Sequence, residues 1–206
     1  MQNLSNIKKQ YCDYVNSDQY YLDIDQKLTV AYKQINSFIG DSSAVVGIDV
    51  DDTMISTFPF MHYTRGDIEG IEDYDFGWNE TAIEKSFGIT DVRLMPAILP
   101  IKNLIDYCNK NNMRVRVLTG RREKYRSTTA ALLLNNGYDE MYESMTMKPT
   151  DSTLNDAQFK RETIDKWFVN GLKVISMIGD QASDIDNNAF EPIRIPNWGY
   201  DLSITY

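Results

Sequence analysis

The chain has 206 residues, 42% hydrophobic and 25% charged, with a formal net charge of −9. This is the composition of a globular domain with a full core, and it excludes a disordered segment. The acidic balance argues against a nucleic-acid or anionic-membrane binder, no stretch is apolar enough to span a bilayer, and two cysteines with one histidine leave no disulfide framework, zinc site or multi-histidine centre.

Residues 1–20 are polar and read as a helical or loose lead-in. They lack the apolar core of a secretion signal, so the chain as written is expected in the cytoplasm. Leu28, Ala31, Ile35 and Phe38 recur at helical spacing, which predicts a helix over about 21–38, ended by Gly40, Asp41 and Ser42. Residues 44–50 read as a buried strand. The run VVGIDVDDT, residues 45–53, ends that strand in three acids, Asp49, Asp51 and Asp52. Acids are poor strand formers and costly to bury, so a core strand that delivers them does so for chemistry.

Residues 54–96 are rich in aromatics, glycine and acids without sustained periodicity, and are expected to form a cap or insertion within a single domain spanning 1–206. Phe58, Phe60, His62, Tyr63 and Trp78 lie in it. They are expected to build the insertion's own small core, with His62 a solvated loop histidine; stacking on a substrate is the alternative. The acidic run 67–75 reads as solvated surface.

Pro100 opens a helix whose apolar positions are Ile101, Leu104, Ile105 and Cys108, with Cys108 expected as a small buried hydrophobe. RVRVLT, residues 114–119, alternates like a strand. A helix is expected from about 123 to 135, stopping at Gly137, and a short strand near 142–147. A further helix covers about 156–169, residues 173–178 form a third core strand ended by Gly179 and Asp180, and PIRI is a short closing strand. Strands alternating with helices predict an α/β fold: a Rossmann-like, mostly parallel sheet flanked by helices.

Three core strands end in polar residues. In a parallel sheet these ends share one edge, which gathers Asp49, Asp51, Thr53, Thr119, Gly120, Arg121, Asp180 and Asp184. Oxygen ligands at such an edge suit Mg²⁺: carboxylates from Asp49 and Asp180, a backbone carbonyl from Asp51, and Asp184 in support. Neither DVDDTM nor DIDNNA has the glycine and terminal glutamate of a calcium loop. Phosphoryl transfer needs charge neutralisation and an in-line nucleophile. Asp49 can attack phosphorus. Asp51, kept protonated by its like-charge neighbour, can serve as acid and then base. Thr119 can donate to phosphate, and a lysine should complete the anion site.

DVDDT at 49–53, LTGR at 118–121, FK at 159–160 and GDQASD at 179–184 together resemble the haloacid dehalogenase-like phosphohydrolases. Within them, LTGR and GDQ-x-SD resemble the IIIB acid phosphatases, a group that includes plant vegetative storage proteins and bacterial acid phosphatases. The resemblance runs over about residues 20–200 and includes the tail IPNWGY. It implies a phosphomonoesterase with Asp49 as nucleophile and Mg²⁺ ligand, and Asp51 as general acid/base and backbone ligand. Thr119 and Gly120 would bind phosphate, Lys160 would neutralise nucleophile and phosphate, Asp180 would hold Mg²⁺, and Thr53, Arg121 and Asp184 would support. It implies a small phosphorylated substrate, with nucleoside monophosphates one possibility, and its members are often exported.

Lys148 competes with Lys160 but reads as a surface loop lysine. Arg121 is balanced between touching phosphate and pairing with a surface acid. Asp52 stands where glutamate is common and has no assigned role. Two alternatives keep the same fold: a non-catalytic storage or binding protein, and a phosphotransferase using the same aspartyl-phosphate. The retained Asp49 favours turnover.

Overall fold

The computed structural model describes residues 10, 13–62 and 85–197, with Met61 and His62 as backbone only. Tyr63, Trp78 and the acidic run 67–75 lie outside the described residues.

Helix α1 (Asp18–Ser37) leads into strand β1 (Ala44–Ile48). A short helix α2 (Phe58–His62) follows, then α3 (Leu99–Lys110) and β2 (Arg114–Arg122). A 3-10 turn (Glu123–Tyr125) enters α4 (Arg126–Asn135), which is followed by β3 (Ser144–Lys148) and α5 (Asp156–Val169). Strand β4 (Lys173–Gly179), the four-residue helix α6 (Ala182–Ile185) and β5 (Glu191–Arg194) complete the order.

Among the described residues, five strands form one all-parallel sheet in the order β3-β2-β1-β4-β5. The chain winds outward from β1 to β3, then returns to lay β4 against the other side of β1. The crevice between β1 and β4 is therefore the topological switch point, where open α/β sheets bind ligands beyond their carboxyl ends. Asp49 and Asp180 follow the last residues of these two strands.

Both faces of the sheet are covered, so β1 is apolar throughout and β4 nearly so. On one face Val46, Ile48, Val115, Val117 and Ile175 pack against α1 and α3. On the other, Val45, Leu118, Val174 and Met177 pack against Phe159, Ile164 and Trp167 of α5. Alternation along β1 puts Asp49 on the same side as Val45 and Gly47, which is the side that α5 covers. Cys108 is fully buried on the apolar face of α3. Among the described residues, no helix is long and apolar enough to cross a membrane.

Two boundaries differ from expectation. The ends of the expected insertion belong to the main core: Met54, Ile55, Phe60, Leu94 and Met95 join the larger cluster. Backbone bonds from Ser56 to Pro96, Phe60 to Leu94 and Ile98 to Met54 close its two ends together. Strand β2 also runs on through Thr119, Gly120 and Arg121 to Arg122, with a register irregularity against β3 beyond Thr119. Beyond the expected end at Thr119 the strand is held by the pairing of Arg122 with Lys148 of β3.

Candidate active site

Each acid of the site is delivered by a strand end or by the turn that follows it. Asp49 remains in the ladder through its amide, which donates to Ile178 O at 3.0 Å. The residue is 3% exposed, and its carboxylate accepts from Lys160 Nζ at 2.8 Å. Lys160 comes from α5, whose start is fixed by a capping box. Asn155 Oδ1 accepts from Gln158 N at 2.9 Å, and Gln158 Oε1 accepts from Asn155 N at 3.1 Å. With the start so defined, Lys160 sits just past the first turn and faces Asp49. Its ammonium also pairs with Asp184, which α6 presents from its first turn. The other Asp184 oxygen accepts from Gln181 N at 2.9 Å.

Asp180 is fully buried. Its Oδ1 lies 3.5 Å from Thr53 Oγ1, and its Oδ2 accepts from Asn197 Nδ2 at 2.8 Å. Asp49, Asp180 and Asp184 bring a carboxylate oxygen each to within 4.8 Å of one another. Asp184 thus stands within the acid group itself, while the Asp51 side chain does not.

Burial drives the electrostatics. It pushes the Asp49 carboxyl up to about 8, against the pull of Lys160 and with the help of Asp184 and Asp51. Burial likewise raises Asp180 well above the usual carboxylate range, assisted by Asp184, Asp52 and Asp49. Burial works against the charged form of Lys160, but Asp49 and Asp184 outweigh it and hold the proton on. Three buried carboxylates facing one ammonium leave an excess of two negative charges when all are ionised. One divalent cation balances that excess, and an all-oxygen carboxylate set suits Mg²⁺ or Mn²⁺. The donor set therefore fits a hard divalent ion.

Asp51 is partly exposed, with its side chain 22% accessible, and both its oxygens are engaged by Arg121. Arg121 Nε donates to Oδ2 at 2.9 Å and a terminal nitrogen donates to Oδ1 at 2.7 Å. This bidentate fork fixes the Asp51 side chain in one orientation. The like-charge reasoning about Asp51 leaves out this partner. Arg121 is neither a surface arginine nor paired with a surface acid. Its side chain is fully buried, a further nitrogen donates to Thr129 Oγ1 at 3.1 Å, and its guanidinium lies 5.0 Å from the centre of the Phe87 ring.

Thr119 is 1% exposed and its hydroxyl oxygen accepts from Arg121 N at 3.2 Å. Gly120 is overlain by Asp156: a Cβ there would come within 2.7 Å of Asp156 Oδ2. The same Asp156 accepts from Lys148 Nζ at 2.6 Å. Lys148 is thus no surface loop lysine. It ends β3, is 6% exposed and serves Asp156, while Lys160 alone of the two reaches Asp49.

Sequence reasoning missed three partners: the Arg121–Asp51 fork, the role of Asp52, and Asn197. Asp52 adopts φ 50°, a left-handed conformation that aspartate tolerates better than most residues. Its carboxylate accepts from Thr57 N at 2.7 Å and Thr57 Oγ1 at 2.8–2.9 Å. Only the tail motif IPNW, which contains Asn197, carried any signal of this.

Gly179 is where α6 comes closest to the sheet. A Cβ on it would overlap Cβ and Cγ of Asp184, which is fully buried and has nowhere to retreat. Gly179→Ala is expected to cost about 1–3 kcal/mol through overpacking. That is a fall in melting temperature of roughly 3–10 °C for a domain of this size. An unchanged melting curve would contradict the packing of Asp184 on Gly179.

Comparisons with known proteins bear on this arrangement. The family model described as HAD superfamily, subfamily IIIB (acid phosphatase) matches residues 2–203. The chain is similar to acid phosphatase 1 of Solanum lycopersicum, at 26% identity over 190 residues, which covers 90% of this chain and 70% of that protein. Its fold is similar to that of the class C acid phosphatase from Bacillus anthracis, with a TM-score of 0.61 at 10% identity. That match covers 83% of this chain and 66% of the other, so the chain spans just under two thirds of that neighbour. The tungstate-bound structure of the Bacillus anthracis protein gives a TM-score of 0.64 at 9% identity over 88% of this chain and 71% of the other. At these identities the two structures speak to the fold, whereas the family match extends over nearly the whole sequence: the chain belongs to the HAD superfamily, subfamily IIIB, the acid phosphatases.

Proposed function

We propose that the chain is a Mg²⁺-dependent phosphomonoesterase that works through an aspartyl-phosphate on Asp49. The observation that carries this reading is the buried trio Asp49, Asp180 and Asp184 closed by Lys160 at the switch point of the sheet. Asp49, Asp180 and the backbone carbonyl of Asp51 would hold the ion, with Asp184 beside them, and the ion would supply the positive charge that lets phosphate approach an acidic site.

In the first step an Asp49 oxygen attacks phosphorus, the ester P–O bond breaks, and the leaving alkoxide takes a proton from Asp51. In the second, water attacks the phosphorus, gives its proton to Asp51, and the bond to Asp49 breaks to release inorganic phosphate. Lys160 neutralises Asp49 and the phosphoryl oxygens, and the Thr119 hydroxyl and the Gly120 amide donate to them. The Arg121 fork aims Asp51 at the leaving oxygen and must yield one contact when Asp51 takes up a proton.

A nucleoside monophosphate is the proposed substrate class. What supports this is the pair of rings Phe87 and Tyr125, with centres 5.3 Å apart, of which Phe87 lies 5.0 Å from the guanidinium of Arg121, the partner of Asp51. Such rings suit stacking of a planar base.

Phosphate release from p-nitrophenyl phosphate and from a nucleoside monophosphate panel, with Mg²⁺ and after EDTA, tests the reading. The expected result is turnover abolished by EDTA and restored by Mg²⁺. Turnover indifferent to EDTA would remove the metal, and no turnover from folded protein on any ester would leave a storage or binding protein on this fold.

A further inference from the structure

The segment leaving β5 is zipped along the acid end of β4. Ile195 N donates to Gly179 O at 2.9 Å and Arg194 Nε donates to Asp180 O at 2.9 Å. Asn197, 4% exposed, then donates its side-chain amide to Asp180 Oδ2 at 2.8 Å. The same side chain hydrogen-bonds Asp52. Asp52 is itself pinned by Thr57 through three contacts of 2.7–2.9 Å. Asp180 and Asp52 belong to neighbouring strand ends, and Asn197 joins them.

The residue type matters. A primary amide carries two donors and no charge, so it can serve two carboxylates at once. A lysine or arginine here would neutralise Asp180 and compete with a cation. An alanine or leucine would leave Asp180 Oδ2 buried without a donor and its carboxylate free to turn. We propose that Asn197 is the positioning residue of the metal site: it occupies Asp180 Oδ2, anchors it to the Asp52–Thr57 clamp, and so presents Asp180 Oδ1 to the ion. This rests on the metal-dependent reading above. Partners that orient metal ligands from behind typically change metal affinity by about 10–100-fold when removed.

The test is Mn²⁺ binding followed by electron paramagnetic resonance, in the full chain without substrate, alongside melting temperature in EDTA. Asn197→Leu keeps the branched shape and removes the donors; Asn197→Ala is the second variant should leucine fail to fold. The expected result is a Mn²⁺ dissociation constant raised about 10–100-fold, with the EDTA melting temperature within a few degrees of wild type. Wild-type affinity in a folded variant overturns the proposal. So does a loss of binding that appears only because both variants are unfolded in EDTA at the assay temperature, which would make the contact purely structural. A wild-type chain that binds no Mn²⁺ fails at the earlier step: it sinks the metal-dependent reading itself, and this one with it.

Discussion

Asp49→Asn is expected to lower turnover by about four orders of magnitude or more while leaving the fold intact. The amide nitrogen cannot attack phosphorus, and the remaining carbonyl oxygen is a poor nucleophile. The fold should survive because the substitution is isosteric and removes a charge that burial already disfavours, as the rise of Asp49 to about 8 shows. Lys160 keeps Asp184 as a partner, and the carbonyl oxygen of the substituted side chain can still accept from it. A melting temperature within a few degrees of wild type, read with a phosphate-release assay, checks both halves. Because asparagine can deamidate back to aspartate, the variant's mass is measured with its rate. More than about 1% residual activity in a mass-verified sample would remove Asp49 as nucleophile, since losing a covalent nucleophile costs far more than a hundredfold.

The parts of this molecule that were legible in the sequence are those set by short-range pattern. Strand β1 is a continuous apolar run, and β4 nearly one, because both faces of the sheet are covered. β2 alternates as RVRVLT because Arg114 and Arg116 turn outward to share Glu143. Asp49 and Asp180 follow from such runs ending in acids. Lys160 came from its FK context, and its ammonium lies 2.8 Å from Asp49.

What stayed hidden depends on pairings far apart in the chain. Arg121 meets Asp51 across 70 residues, and nothing local says whether an arginine after a strand will be buried. Lys148 looks like a loop lysine until α5 folds back to set Asp156 against it. Asp180 and Asn197 approach only once β5 lies beside β4. The extent of the insertion was blurred for a related reason. Residues at its two ends lack periodicity because they close against each other through scattered backbone bonds instead of forming a regular element. The acids could be found from one strand at a time, but their partners required the topology.

Lys160→Met should show that topology as an energy. Among the described residues, Lys160 is the single ammonium between Asp49 and Asp184, with side chains 5% exposed for itself and Asp49 and 0% for Asp184. Water cannot screen such a group, so above about pH 8, where Asp49 is ionised, removing it leaves carboxylates buried without a counter-charge. Breaking a buried ion pair from one side typically costs about 3–5 kcal/mol. For a chain of this size that is a fall in melting temperature of order 10 °C in EDTA. A surface lysine would cost about 1 kcal/mol or less, so the two cases are readily separated. Mg²⁺ should then stabilise the variant more than it stabilises wild type, because the ion replaces charge that the methionine no longer supplies and binds only the folded state. Turnover in saturating Mg²⁺ should remain depressed by about 10²–10³-fold, since Lys160 also faces the phosphoryl oxygens in the proposed reaction and a cation held by Asp180 cannot take its place there. An EDTA melting temperature equal to wild type would mean that the acids were already neutral and that Lys160 holds nothing. A melting temperature lowered as expected, with full turnover in Mg²⁺, would assign Lys160 to the fold and leave the phosphate to Thr119 and Gly120.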